Sequence, residues 1–307
     1  MASPPPLVVV AGPTASGKTE LGIRLGEWLI AQGRPATVIS ADSRQVYRGL
    51  DIGTAKVTEA DRRRVPHAGL DLVDPDERFA VSDFAAHAVG VLTELASRGG
   101  VALLVGGTGL YLRAVARGLD LDALPDDPAV RARLEAEFQA EGLGPLVARL
   151  QARAPTLASE THLANPRRVI RALEIAELRG DGPRPRPRGY DGPSVWIGLD
   201  ARPDEHRRRI ALRAREQFDA GLLDEAIALR QRFDPTLPAF SAIGYQEAWA
   251  VADGAMTRAQ AIEQDARRNM AFARRQRTWL RAEQDVTWLD ATDPLDDAVE
   301  LTRRVIG

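Results

Sequence analysis

Residues 12–19 read Gly12-Pro13-Thr14-Ala15-Ser16-Gly17-Lys18-Thr19, the G-x-x-x-x-G-K-[ST] spacing of a phosphate-binding, nucleotide-type loop. The spacing has a chemical reason. Glycine lets the backbone turn tightly enough for successive N–H groups to face one acceptor, and a helix beginning near Gly17 adds the positive end of its dipole. Lys18 supplies a slim point charge that a planar guanidinium would not reproduce in so narrow a cradle. Thr19 offers a hydroxyl to Mg2+. The loop specifies a polyphosphate but not which one, nor whether a P–O or a C–O bond is broken; in most such proteins the chemistry is phosphoryl transfer.

The discriminating groups must therefore lie at other strand ends, because ligands of open α/β sheets bind beyond the carboxyl ends of the strands. Two segments qualify: Ala41-Asp42-Ser43-Arg44-Gln45-Val46-Tyr47 and Gly106-Gly107-Thr108-Gly109-Leu110-Tyr111. Asp42 and Thr108 would then approach a substrate held near Lys18. Asp42 could serve as a general base, or as a helix cap or outer partner of a metal; Thr108 could be a plain helix N-cap. A hydrolytic NTPase would show an apolar strand ending in Asp-Glu, whereas Val101–Val105 runs into Gly106-Gly107.

These segments need a scaffold, and its outline is readable. Leu7–Ala11, Ala36–Ser40 and Val101–Val105 are short continuous apolar runs, as buried parallel strands require. Helices are expected from Gly17 to Ala31 and from a Ser82 cap to Arg98, stopped by Gly99-Gly100. The rhythm changes at the acidic run 120–127: Asp127-Pro128 and Asn165-Pro166 are helix starts, and only helices are expected until a Pro/Arg/Gly linker at 181–192. Ser194–Leu199 restores the strand pattern, helices follow at 204–220, 222–232, 245–252 and 257–282, and Val286–Leu289 is a last strand. The expected fold is α/β: a P-loop NTPase-like parallel sheet with helices on both faces (1–119 and 193–307), interrupted by a small all-helical insertion domain (120–192).

Composition narrows the classes. The chain has 307 residues and no Cys, which removes disulfides, Cys-ligated metals and thiol catalysis. Its histidines, His67, His87, His162 and His206, show no metal-ligand spacing. Residues 1–6 show no basic leader and no apolar stretch reaches membrane-spanning length, so a cytoplasmic location is expected, and nothing argues for more than a monomer. Formal net charge is −2, and among 41 cationic residues only Lys18 and Lys56 are lysine. Any polyanion-binding character must be local.

With these residues in view the chain resembles the tRNA dimethylallyltransferase (isopentenyltransferase) family, in its bacterial form. The resemblance rests on residues 12–19, ISADSRQVYRGLDIGTAK (39–56), PHAGLDLVDP (66–75), VGGTGLYLRA (105–114), NPRRVIRALE (165–174), GYQEAW (244–249) and ARRQRTWLR (273–281), in family order over most of the chain. It implies transfer of a dimethylallyl group from dimethylallyl pyrophosphate to N6 of the tRNA adenosine just 3′ of the anticodon. The phosphate loop would hold the leaving pyrophosphate with Mg2+, Asp42 would be the base, Thr108 would align the reactants, and Arg213 would stabilise the pyrophosphate. Asp42, Ser43, Arg44 and Gln45, with Pro166, Arg167, Arg168, Val169, Ile170 and Arg171, carry over as tRNA-binding, and N6 chemistry in a stacked loop implies a flipped base.

Two further clusters are basic. Arg202 to Arg209 reads as a solvated helix face. In the last long helix, Arg267, Arg268, Arg274, Arg275, Arg277 and Arg281 face either RNA phosphate or intramolecular acids. Where the family often has Thr-Arg, this chain has Asn269-Met270, and Arg268 could supply the missing basic group. A P-loop small-molecule kinase and a non-catalytic nucleotide-gated RNA binder are the competing readings. Lys56 has no role that the sequence supplies.

Overall fold

A computed structural model describes residues 3–121 and 124–307; residues 1 and 2 at the start of the chain, and 122 and 123 of the acidic run, lie outside the described residues. The chain forms two compact units, Met1–Arg117 with Gly189–Gly307, and Gly118–Arg188. The first begins with β1 (Leu7–Ala11), α1 (Lys18–Ala31), β2 (Ala36–Ala41), α2 (Glu59–Arg64), β3 (His67–Ala68), α3 (Val81–Ser97), β4 (Val101–Gly106) and α4 (Gly109–Ala116). The second holds α5 (Pro128–Glu141), α6 (Leu143–Arg153), α7 (Pro155–Ser159) and α8 (Pro166–Arg179). The first then resumes with β5 (Ser194–Asp200), α9 (Pro203–Asp219), α10 (Leu222–Arg232), a 3-10 turn at Pro238–Ser241, α11 (Tyr245–Ala252), α12 (Arg258–Arg281), β6 (Val286–Asp290) and α13 (Leu295–Ile306).

The sheet of the first unit is parallel, in the order β3-β2-β4-β1-β5-β6. Every residue of β1 is fully buried because successive side chains enter two different cores. Leu7, Val9 and Ala11 face the packing of α3, α4, α10 and α11, whereas Val8 and Val10 face α1 and α13. In register, Ala11 and Ala41 both lie opposite Gly106. Three strands thus end level, and the loops that follow them share one edge.

In the second unit, Asp127 accepts from Ala129 N–H (2.8 Å) and Asn165 accepts from Arg168 N–H (3.3 Å), each directly before a proline that starts a helix. Its core contains Leu134, Leu150, Val169, Ile170 and Leu173. Glu174 is fully buried and fully partnered, by the Arg131 guanidinium, Arg171 at 2.8 Å and Asp127 N–H at 2.9 Å.

Three local expectations change. The helix after residue 80 is capped not by Ser82 but by Asp83, which accepts from Ala80 N–H at 2.6 Å. Helix α2 and strand β3 escape the sequence pattern because each is too short to show a period. The end of the linker belongs to the first unit: Gly189 N–H donates to Arg117 O (2.9 Å) and Tyr190 OH donates to Pro5 O (2.6 Å).

Candidate active site

The phosphate loop joins β1 to α1 as a tight, partly strained turn. Ser16 N–H donates back to Pro13 O at 3.2 Å, Gly17 takes φ 89°, and Ala15 sits at φ 59°, a left-handed conformation that non-glycine residues adopt at a cost. Thr14 is held on both sides: its N–H donates to Gln276 Oε1 (2.8 Å) and its carbonyl accepts from His206 Nε2 (2.8 Å). The cradle is therefore narrower than a loop with every N–H free. What it offers includes the first turn of α1, whose N–H groups have no acceptor within the helix. Ser16 Oγ is buried and lacks a partner among the described residues. Lys18 bends toward Pro13 O (3.3 Å). Burial, then the Arg213 guanidinium, lowers its pKa to about 8 against the opposing pull of Asp42.

Asp42 and Thr108 follow the two adjacent strand ends. One carboxylate oxygen of Asp42 accepts from Arg44 N–H at 2.9 Å, a local turn that fixes the side chain at the sheet edge. Thr108 occupies the N-cap position of α4 without capping it; its hydroxyl accepts from Ser43 N–H (3.1 Å) while its own N–H donates to Ala41 O (3.1 Å). The threonine thus ties the β4 loop to the β2 loop. Glycine is required between them, because a Cβ at Gly106 would lie 2.2 Å from Ala41 O and one at Gly107 would strike Gln276. Gln276 Nε2 instead donates to Gly107 O at 3.1 Å, so one side chain of α12 links the phosphate loop to the Gly-Gly turn.

Arg213, from α9, is partly buried and reaches Thr54 O at 3.5 Å. Burial lowers its pKa, with Asp42, Asp265 and Glu216 opposing. Asp265 is fully buried, accepts from Asn269 at 2.7 Å, and is pushed up to about 6 by burial. The segment 51–56 beside Arg213 is clamped from several directions. Glu225 accepts from the N–H groups of Asp51, Ile52 and Gly53 and from Tyr245 OH. Gln217 donates to Ile52 O and Gly53 O, and Gln45 donates to Thr54 O while accepting from Ser40. Lys56 is buried, its ammonium donating to Tyr47 O (2.9 Å), Asp51 (2.6 Å) and Asp71 (2.6 Å). A cavity of about 510 Å³ opens beside this segment, lined by Ile52, Ala55, Lys56, Arg62, Arg213 and Gln217 among others.

The residues expected to touch RNA divide. Gln45 spends its amide on Ser40, Thr54 and Ala55, so it holds the fold rather than presenting a free polar group. Arg44 donates to Pro238 O (2.9 Å), and Ser43 stays half-buried beside it. In the second unit Val169 and Ile170 are core residues, and Arg171 is engaged by Leu124 O, Pro125 O and Glu174. Arg167 and Arg168 are exposed and Pro166 is half-buried. Arg207, Arg208 and Arg209 pair with Asp204 and Glu205 on their own helix. In α12, Arg267, Arg277 and Arg281 pair with Glu263 and Asp200, and Arg268 is held by Glu247 at 2.6 Å. Trp279 packs on Gly109, where a Cβ would meet the ring at 2.3 Å.

Comparison with known proteins decides what this arrangement belongs to. The family described as IPP transferase matches residues 45–283. The chain is 42% identical to the tRNA dimethylallyltransferase of Kineococcus radiotolerans over 98% of its own length and 95% of that protein. It is 37% identical to the one of Bacillus subtilis, with the same coverage of both. A crystal structure of the tRNA isopentenylpyrophosphate transferase of Bacillus halodurans is 39% identical and superposes with a TM-score of 0.70, over 97% of this chain and 95% of that one. The chain belongs to the IPP transferase family. That membership does not favour the kinase alternative.

Some supporting residues are not visible in sequence. His206, Gln276, Glu225 and Gln217 lie 160 or more positions from what they hold, and only the glutamine of ARRQRTW stands inside a recognisable motif. A signal exists for two of the others: on α9, a helix rich in charge, buried Gln217 and His206 occupy apolar-face positions, where polar side chains need partners.

Proposed function

We propose that the chain transfers a dimethylallyl group from dimethylallyl pyrophosphate to N6 of the adenosine just 3′ of a tRNA anticodon, releasing pyrophosphate. The observation that carries the reading is the level ending of β1, β2 and β4, which brings the phosphate loop, Asp42 and Thr108 to one edge of the sheet. The N6–C1 bond forms as the C1–O bond breaks; the bonding pair leaves with pyrophosphate and the N6 proton passes to Asp42. An exocyclic purine amine is a poor nucleophile, so a base at this point contributes directly. Lys18, Arg213 and the first-turn N–H groups of α1 take up the charge of the leaving group, where stabilisation by preorganised donors counts most. Thr108 sets the spacing of the two loops and thereby the alignment of the reactants.

The residues present fit a magnesium ion carried chiefly by the donor. Such an ion would need only one protein oxygen beside its waters and the donor's phosphates. Thr19, exposed in the first turn of α1, would be that oxygen. When bound, the ion neutralises charge developing on the departing phosphates. RNA would be met by Asp42, Ser43 and Arg44 on the first unit and by Pro166, Arg167 and Arg168 on the second. The test is label transfer: labelled dimethylallyl pyrophosphate, Mg2+ and tRNA whose anticodon is followed by adenosines should give labelled tRNA. ATP turnover without label in tRNA would overturn the reading in favour of a kinase, and RNA binding with neither would favour a binding protein.

A further inference from the structure

We propose that His206 is a positioning residue that orients the Thr14–Ala15 peptide of the phosphate loop and releases it when protonated. The inference rests on the reading of this loop as the donor site. The geometry is directional. His206 is 4% exposed, and its Nε2 lies 2.8 Å from Thr14 O, an atom that can only accept. Nε2 must therefore carry the hydrogen. Nδ1 lies 3.1 Å from Nη2 of Arg277, a group that can only donate, so Nδ1 must be the bare nitrogen. Arg277 is itself held by Asp200 at 3.0 Å. A series of single-direction interactions thus runs from Asp200 at the end of β5, through Arg277 and His206, to the loop, and it admits one neutral tautomer.

The consequence for the loop follows from peptide planarity. In a trans peptide C=O and N–H point in opposite directions, so drawing Thr14 O toward His206 turns Ala15 N–H away from it. Gln276 fixes the preceding peptide through Thr14 N–H. Ala15 is left with φ 59°, a conformation that persists where its surroundings over-determine it. The two helices α9 and α12 supply that constraint. A second proton on the ring would sit on Nδ1, facing the Arg277 guanidinium, and the series would break there. The charged groups around the ring are Arg277, Arg274 and Asp200 from the other elements and Arg207 and Arg209 from its own helix; Arg207, Arg274 and Arg277 line a cavity of about 150 Å³ beside it. Burial is the main cause holding the imidazole pKa below its ordinary value of 6.5, with Arg277 adding to it and Thr14 O and Asp200 opposing.

Nitrogen-15 NMR of histidine-labelled protein tests this series directly. At pH 7.5 the His206 ring should be the neutral Nε2–H tautomer. On acidification the amide signals of Ala15, Ser16 and Gly17 should shift with the same midpoint as the ring, below 6.5. A cationic ring, an Nδ1–H tautomer, or loop amides that stay still while the ring titrates would overturn the proposal. Calorimetry with dimethylallyl pyrophosphate gives the functional readout: Kd should rise about tenfold below that midpoint and in His206→Phe. In His206→Gln, whose amide can still donate to Thr14 O but does not titrate, the acid-side loss should vanish; its persistence would also overturn the proposal. If the donor binds at no pH, the reading of the loop as donor site fails, while the NMR titration still decides the role of His206. If His206→Phe does not fold, the wild-type titration and His206→Gln decide it.

Discussion

Asp42 and Lys18 carry opposite charges into one site, and each makes a distinct prediction. Asp42 binds no phosphate in the proposed reaction, so Asp42→Ala should lower kcat by roughly 10²–10⁴-fold, the usual worth of a positioned base. The Kd for dimethylallyl pyrophosphate should change little; label transfer and calorimetry separate the two. Retained turnover would remove Asp42 from the chemistry. Lys18 has a pKa of about 8, against an ordinary value of 10.5, and its cation is the binding form. Donor affinity should be flat between the His206 midpoint and about pH 8 and fall by up to about tenfold per pH unit above pH 8. The linkage to stability has the opposite sign. Because the folded-state pKa lies below the unfolded one, the buried cation destabilises the fold most below pH 8, and this cost disappears as pH rises toward 10.5. Lys18→Met should therefore raise Tm at pH 7 while weakening donor binding, a trade common at sites that hold strain for function.

The segment 51–56 shows how an element without regular structure is held rigid by its neighbours. No helix or strand includes it, yet Glu225, Gln217, Gln45 and Lys56 engage its backbone or its side chains. Lys56, buried with two carboxylates and a carbonyl as partners, spends all three of its donors there. A guanidinium is planar and longer, and could not converge on three acceptors arranged around one point. Lys56→Met should lower stability by about 2–3 kcal/mol in chemical denaturation, less than the ~3–5 of a wholly buried pair, because Asp51 and Asp71 keep part of their exposure. Unchanged stability would show that the two carboxylates rehydrate at no cost. Since the clamp also supplies Thr54 O to Arg213, donor affinity should weaken together with stability.

Charge is distributed differently over the molecule than its near-neutral total suggests. Many of its arginines are neutralised within the fold, as on α9 and α12, where acids one turn away or on neighbouring elements take them up. Arg167 and Arg168 at the start of α8 are exposed and have no acidic partner among the described residues. Replacing both with alanine should weaken tRNA binding and reduce the salt dependence of log K by roughly 0.7 for each RNA phosphate no longer neutralised. Donor affinity should stay as it was. An unchanged salt slope would place the RNA elsewhere.

The phosphate loop, Asp42 and Thr108 are readable from the sequence, because each depends on chemistry carried by a short segment after an apolar strand. The helical interruption is readable too, since proline after a capping residue starts a helix by local rules. Local patterns cannot reveal partners far along the chain. Gln276 at the loop, Glu225 at the 51–56 segment and Asp200 behind Arg277 come into place only when the sheet order and helix packing are set. The same limit explains Gln45, Arg171 and Arg268: a polar side chain looks available in sequence, and only the fold shows the carbonyl or carboxylate to which it is already bonded. Residue types determine which chemistry is possible here, and tertiary packing determines which groups remain free to perform it.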